Sequence, residues 1–280
     1  LSGIDQPTLQ RNFKGHKKSI TSLHFSPNEA QIATSSLDNS VLLWHIKGSV
    51  RSYRFQGHNE PVMDVTFSPT GKYMASASQD KTVRLWVPTV VGSTAVFKAH
   101  SQTVRSVQFT PDGSKILTAS DDKIVKLWHT HNHKFISSFT GHTNWVRCAR
   151  ITDDSSVIAS CSDDKTVKLW NPETNQNIHT FRIHKEAVNK VSFHPSGKYI
   201  ITFLDLLEGR PLFTLHGHTG GVNAASFSPT GDLIASAGED KLVSAVGRET
   251  TTTRILVAGF SDAHSSAMSF NIDKNVELIE

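Results

Sequence analysis

Histidine and aspartate recur in this chain at a fixed stride. His16, His58, His100, His142 and His184 stand 42 residues apart. Twenty-two residues after each of the first four stands an aspartate: Asp38, Asp80, Asp122 and Asp164. Imidazole and carboxylate together are the raw material of metal ligation and of acid–base catalysis. A separate run, His129-Thr-His131-Asn-His133, also has metal-ligand residue types. Yet a pair that returns once per repeat describes architecture rather than one reactive centre. The His129–His133 run falls in a polar link after Trp128, where an exposed loop is expected. The chain carries no Lys-Ser/Thr phosphate loop, no nucleophile elbow, no His-Glu-x-x-His and no dinucleotide fingerprint. No catalytic residue, cofactor or metal site is expected, and no small-molecule substrate.

The elements that position these residues follow from what else keeps step with the histidine. Four residues on stands a branched apolar residue: Ile20, Val62, Val104, Val146, Val188. Eighteen on stands a hydroxyl: Thr34, Ser76, Thr118, Ser160. Twenty-eight on stands Trp44, Trp86, Trp128 or Trp170. Between these landmarks run short period-two stretches such as Val62–Phe67 and Thr82–Trp86, bounded by turns such as Ser68-Pro-Thr-Gly71. Four such strands per repeat and no helical stretch predict an antiparallel four-stranded sheet. One sheet alone cannot bury both faces, whereas several stacked radially can, which is the β-propeller solution.

Two departures mark the repeat. His218 follows His184 by only 34 residues, so the fifth unit is eight residues short, and Leu204 stands where its tryptophan would be. Its second and third strands cannot both form as in the other units. Val246 replaces the last tryptophan. The expected fold is therefore an all-β propeller of six recognisable repeats, the fifth truncated, over residues 8–246. A non-repeat tail, 247–280, carries strand-like runs at Arg254–Val257 and Asn275–Ile279 that offer either an incomplete extra blade or irregular packing.

Composition narrows the setting. Of 280 residues, 37% are hydrophobic, enough for a sizeable core, and 19% are charged. No apolar run approaches the roughly 18 residues of a membrane span, and no membrane partner is expected. No N-terminal secretory signal is visible. The net charge of +4 is spread among acidic residues, which reads as a mixed solvated surface rather than a nucleic-acid face. Cys148 and Cys161 form neither a Cys-x-x-Cys pair nor a disulfide framework. They read as small buried residues in a reducing intracellular compartment.

The Gly-His dipeptides, the aspartate six residues before the tryptophan and the 42-residue stride resemble WD-repeat (WD40) propellers. That resemblance implies a buried hydrogen-bonded network in each repeat. Its members would be His16, Thr34, Asp38 and Trp44; His58, Ser76, Asp80 and Trp86; His100, Thr118, Asp122 and Trp128; and His142, Ser160, Asp164 and Trp170. Ser36 and Ser78, two residues before the aspartate, are alternative third members. The family closes its ring with an N-terminal outer strand, for which Thr8–Phe13 is the natural clasp.

The resemblance also places a variable rim around the central channel. One set is Thr21, Met63, Arg105, Arg147, Asn189 and Asn223; the other is Leu37, Gln79, Asp121, Asp163 and Glu239. Arg105 and Arg147, with Trp145 beside them, are residue types enriched at binding hot spots. Alternatively, Asp121 and Asp163 simply neutralise the arginines. Segments including Thr82–Pro88, Asn144–Ala149, Phe193–Gly197 and Asp205–Arg210 further resemble the centriolar Poc (proteome-of-centriole) WD-repeat proteins. This implies a non-enzymatic scaffold in centriole and basal-body assembly or stability and in cilium formation. It would lie in the cytoplasm and cytoskeleton, at the centriole, centrosome and cilium basal body, with centriolar or microtubule-associated protein partners. The alternative is a WD-repeat substrate adaptor or a chromatin- or histone-reading subunit of an enzyme complex.

Overall fold

In a computed structural model of the chain, the described residues are 13–47, 51–88, 94–182, 184, 186–196, 199–200, 204–205, 222–227, 230, 233–238, 242–249 and 252–259. Among them every regular element is a strand.

The first repeat unit folds as β1 (Ile20–Phe25), β2 (Gln31–Ser36), β3 (Ser40–His45) and β4 (Tyr53–Gln56). The second gives β5 (Val62–Phe67), β6 (Met74–Ser78), β7 (Thr82–Trp86) and β8 (Thr94–Lys98). The third gives β9 (Val104–Phe109), β10 (Lys115–Ser120), β11 (Ile124–His129) and β12 (Phe135–Thr140). The fourth gives β13 (Val146–Ile151), β14 (Ile158–Ser162), β15 (Val167–Trp170) and β16 (Asn177–Phe181). Each quartet is one antiparallel meander in chain order. The fold is a WD-repeat propeller.

The sheets bury each other's faces in a repeated register. Ala33, Val41 and Leu43 of the first sheet pack against Val62, Val65, Phe67 and Trp86 of the second. Ala75, Ala77, Val83 and Leu85 of the second meet Val104, Val107, Phe109 and Trp128 of the third. Ala119, Val125 and Leu127 of the third meet Val146, Ala149, Ile151 and Trp170 of the fourth. Small residues on the second strand let the branched residues of the next inner strand approach, so each interface is closely interdigitated. In the first sheet the matching residues Ile20, Leu23 and Phe25 are 55%, 58% and 52% exposed.

Tight turns set the hairpins. The residue after each network aspartate (Asn39, Lys81, Lys123 and Lys165) has φ of 66°, 70°, 71° and 66°. A left-handed lysine costs backbone energy. The aspartate offsets it by accepting from the backbone two residues on, as Asp80 does from Thr82 N at 3.0 Å.

The fifth unit departs as its missing residues require. It shows β17 (Tyr199–Ile200) paired with β18 (Leu204–Asp205) in a two-stranded sheet, and Phe193 bridges to Ile200. The sixth is four-stranded again: β19 (Val222–Phe227), β20 (Leu233–Gly238), β21 (Leu242–Glu249) and β22 (Thr252–Gly259). Here the structure differs from the incomplete extra blade expected of the tail. The run Arg254–Val257 lies within β22 and pairs with β21 along eight residues as the outer strand of the sixth sheet. The place expected for the N-terminal clasp is thus held by a tail strand. Pairing there satisfies the outer backbone groups of β21, which would otherwise remain an open edge. Residues 8–12 of the clasp, and the tail run Asn275–Ile279, lie outside the described residues.

Among the described residues the fifth sheet pairs two residues with two, which gives it little cooperative protection. Native-state amide exchange at Ile200 should therefore run at least roughly tenfold faster than at Leu117 or Ala159. Equal protection at these positions would show the short unit to be as stable as its neighbours.

Candidate functional site

Each inner-face histidine is held at the base of its sheet between the hairpin aspartate and a hydroxyl on the second strand. His16 Nδ1 lies 3.0 Å from Asp38 Oδ2, and its Nε2 lies 2.8 Å from Thr34 Oγ1. The Trp44 indole N–H donates to the same Thr34 oxygen at 2.8 Å. His58 repeats this with Asp80 and Ser76 at 2.7 Å each, and Trp86 donates to Ser76 at 2.8 Å. His100 pairs with Asp122 at 2.9 Å and Thr118 at 2.8 Å, with Trp128 3.0 Å from Thr118. His142 pairs with Asp164 at 2.8 Å and Ser160 at 2.7 Å, with Trp170 2.8 Å from Ser160.

The polarity of this chain follows from its ends. An ionised carboxylate only accepts and an indole N–H only donates. A neutral imidazole therefore gives its Nδ1–H to aspartate and accepts the hydroxyl proton at Nε2, while the hydroxyl oxygen accepts from tryptophan. Burial pushes the pKa of His100 and His142 down, outweighing the carboxylates beside them. Burial alone would raise the aspartates. Hydrogen bonds from Thr166, the Thr143 amide and His142 overcome it and bring Asp164 down to about 2. Asp38, Asp80 and Asp122 are lowered in the same way.

The structure also decides between the two candidate hydroxyls. Ser36 and Ser78 do not bond the histidines. Their oxygens accept from the amides of Asp38 and Asp80 at 3.1 and 3.2 Å, and donate back to the loop carbonyls of Lys18 and Pro61. They fasten the aspartate turn; the residue eighteen after the histidine completes the network.

Some partners were missed. Ser40, Thr82 and Thr166, two residues after the aspartate, donate to its Oδ1 at 2.5, 2.6 and 2.6 Å. A hydroxyl at that offset in three of four units was a legible signal. Lys126 Nζ reaches the carbonyl of Ala99, just before His100, at 3.1 Å. In the first unit that register position is Leu42, and Arg54, paired opposite it on β4, donates to the Gly15 carbonyl instead. Only strand pairing brings that cation into place. In the fifth unit the eight missing residues take the hairpin and its aspartate with them. There the buried His184 Nε2 has no hydrogen-bond partner among the described residues, and burial lowers its pKa. Thr202, His218, Glu239 and Asp240 lie outside the described residues.

The rim residues come together in the third and fourth units. Arg105 donates from Nε and Nη2 to Asp121 Oδ1 and Oδ2 at 2.7 and 2.9 Å. Arg147 does the same to Asp163 at 2.6 and 2.7 Å. Both forks are bidentate, the geometry that fixes a guanidinium in place. Trp145 is 43% exposed. The Cζ atoms of Arg105 and Arg147 lie 5.4 and 5.5 Å from its ring centroid. The carboxylates neutralise the arginines and at the same time brace them against an exposed indole. In the second unit the same positions pair Gln79 with Met63 Sδ at 3.5 Å. In the first, Thr21 turns to Ser35 and the Val62 carbonyl, at 2.8 and 2.6 Å, rather than to Leu37.

The other candidate for chemistry disperses. The His133 ring stacks on Phe97 with centroids 5.5 Å apart. Among the described residues no three His, Cys, Asp or Glu side chains converge on one point.

The model of the WD domain, G-beta repeat, matches residues 7–45, 49–87, 92–129, 133–171, 175–203 and 209–244. The chain belongs to the WD40 family. Over 53 residues it is 57% identical to POC1 centriolar protein homolog A of Danio rerio and 55% identical to POC1 centriolar protein homolog B of Mus musculus. Each match covers 19% of this chain, and 13% and 11% of those relatives. Over 50 residues, 18% of this chain, it is 44% identical to POC1 centriolar protein homolog A of Bos taurus, 12% of that protein. The matched stretch is thus a small part of each relative's length. Of the six WD40 matches the fifth stops at 203, where the two-stranded sheet stands.

The WD40 network generates two expectations. Replacing Ser160 by Ala strands both His142 Nε2 and the Trp170 N–H, and should cost about 1–3 kcal/mol in urea unfolding. Ser160→Thr, which matches Thr34 and Thr118 in register, should restore most of it. The pH dependence has a defined sign. Carboxylates and histidines whose folded pKa is depressed bind more protons when unfolded, so stability falls as pH drops. Thermal midpoints should decline below about pH 6.5, the ordinary histidine value, and again between about pH 4 and 2. A midpoint that rises from about pH 7 to pH 5 would contradict this arrangement.

Proposed function

We propose that this chain is a non-enzymatic protein-interaction scaffold that acts at the centriole and the cilium basal body. The relatives named as centriolar proteins support the location, and the WD40 fold supports the scaffold. The observation that carries the interaction surface is Trp145. It is a large aromatic left 43% exposed on a strand end whose neighbours are braced by paired charges. Rigid aromatic anchors lose little entropy on binding and dominate interface energies. Holding the two arginines in place beforehand lowers the cost of docking a protein partner there. The network histidines and aspartates serve the frame, each committed to internal partners.

A tagged copy should co-localise with centriole markers in dividing cells. Diffuse cytoplasmic or chromatin staining would refute the assignment. Trp145→Ala should lower capture of centriolar proteins at least roughly tenfold, with a melting temperature within a degree or so of the parent. Unchanged capture would move the binding surface elsewhere on the ring.

A further inference from the structure

Cys148 and Cys161 take no part in the network or the rim. In the β13–β14 ladder they are directly opposite each other. Residues so placed have Cα atoms about 4.5–5.5 Å apart, inside the roughly 4.4–6.8 Å that a disulfide spans. Paired residues leave the sheet on one face, and both thiols lie in the same buried cluster between the fourth and fifth units. Both are free, at 1% and 0% exposure. Cys148 Sγ also lies 3.9 Å from the Val191 carbonyl and 3.8 Å from Ser106 Oγ.

Their surroundings split the pair chemically. The hydrogen bond with Cys161 lowers the Cys148 thiol below its ordinary value against burial, and the charges of Arg150 and Lys190 add to it. Burial and then the same neighbour raise Cys161. The pair is thus biased toward Cys148 as the nucleophilic and Cys161 as the resolving cysteine.

What covers them comes from the fifth unit, the one shortened by eight residues. Val188, Val191 and Ile200 of the fifth unit close the cluster over the two sulfurs, and the only sheet described in that unit pairs two residues with two. Local opening there exposes the dithiol without unfolding the ring.

We propose that Cys148 and Cys161 are a peroxide-oxidisable dithiol that closes to an intrachain cross-strand disulfide when the fifth unit opens. The Cys148 thiolate attacks one peroxide oxygen; the O–O bond breaks, leaving Cys148 sulfenic acid and hydroxide, which takes a proton to become water. Cys161 sulfur then attacks Cys148 sulfur, the S–O bond breaks and a second water leaves with the Cys161 proton. Two thiols lose two electrons to one hydroperoxide. Because relaxed cross-strand Cβ atoms stand slightly farther apart than a disulfide prefers, the bond is strained and readily reduced.

The test treats the native chain with hydrogen peroxide, then unfolds it, alkylates free thiols and measures intact mass. The expected product is a monomer that has lost two hydrogens and both alkylatable thiols, and recovers them with dithiothreitol. Cys161→Ser should stop at a dimedone-trapped sulfenic acid on Cys148. Ile200→Ala, checked for retained fold by circular dichroism, should speed disulfide formation roughly tenfold by easing the opening. Two thiols still alkylatable after peroxide, a disulfide between chains, or a rate indifferent to Ile200→Ala would each overturn the proposal.

Discussion

A buried imidazole has one N–H to give and one lone pair to fill, and the whole blade is arranged around that constraint. Aspartate takes the N–H, a hydroxyl fills the lone pair, and tryptophan fills the hydroxyl. Each satisfied atom ties a different piece of chain: the loop before the first strand, the second strand, the hairpin turn and the third strand. The second and third strands, their hairpin and the loop before the first strand are thereby held in place by four side chains, and a partly satisfied version would be costly in so dry a setting. In the fifth unit, where that aspartate is absent, the described residues form a sheet of two short strands, and none of them bonds His184 Nε2.

The same economy separates frame from recognition. Positions that serve the network are fixed in type by hydrogen-bond arithmetic, whereas rim positions at the strand ends answer to no such demand and vary from unit to unit. In the third and fourth units they converge on an arginine–aspartate fork, twice, with Trp145 between. A rigid stack of sheets that pre-places one exposed aromatic is suited to holding protein partners.

Much of this was legible beforehand. The stride of the histidines, the period-two stretches and the turn residues specify four-stranded units, because strand alternation and turn chemistry are local. The eight residues missing from the fifth unit also announce themselves, since a fixed stride makes any deletion visible. The role of Arg54 was not legible, because it substitutes for the cation missing at Leu42 only through the β3–β4 pairing. Nor was the fate of the tail. The run Arg254–Val257 reads as a strand, but which edge it joins depends on an unpaired neighbour elsewhere in the fold.

The choice of hydroxyl draws the line most clearly. Sequence by itself determined the repeat and the blade, since these follow from spacing and turn chemistry, and the resemblance to WD-repeat propellers implied the buried imidazole, carboxylate and indole. It left Thr34 and Ser36, or Ser76 and Ser78, equal. Alternate residues on a strand point to the same face, so only the tertiary structure, by fixing how far each lies along the strand from the histidine, decided between them. The member eighteen residues on reaches Nε2, and the member twenty on turns to the aspartate's own amide.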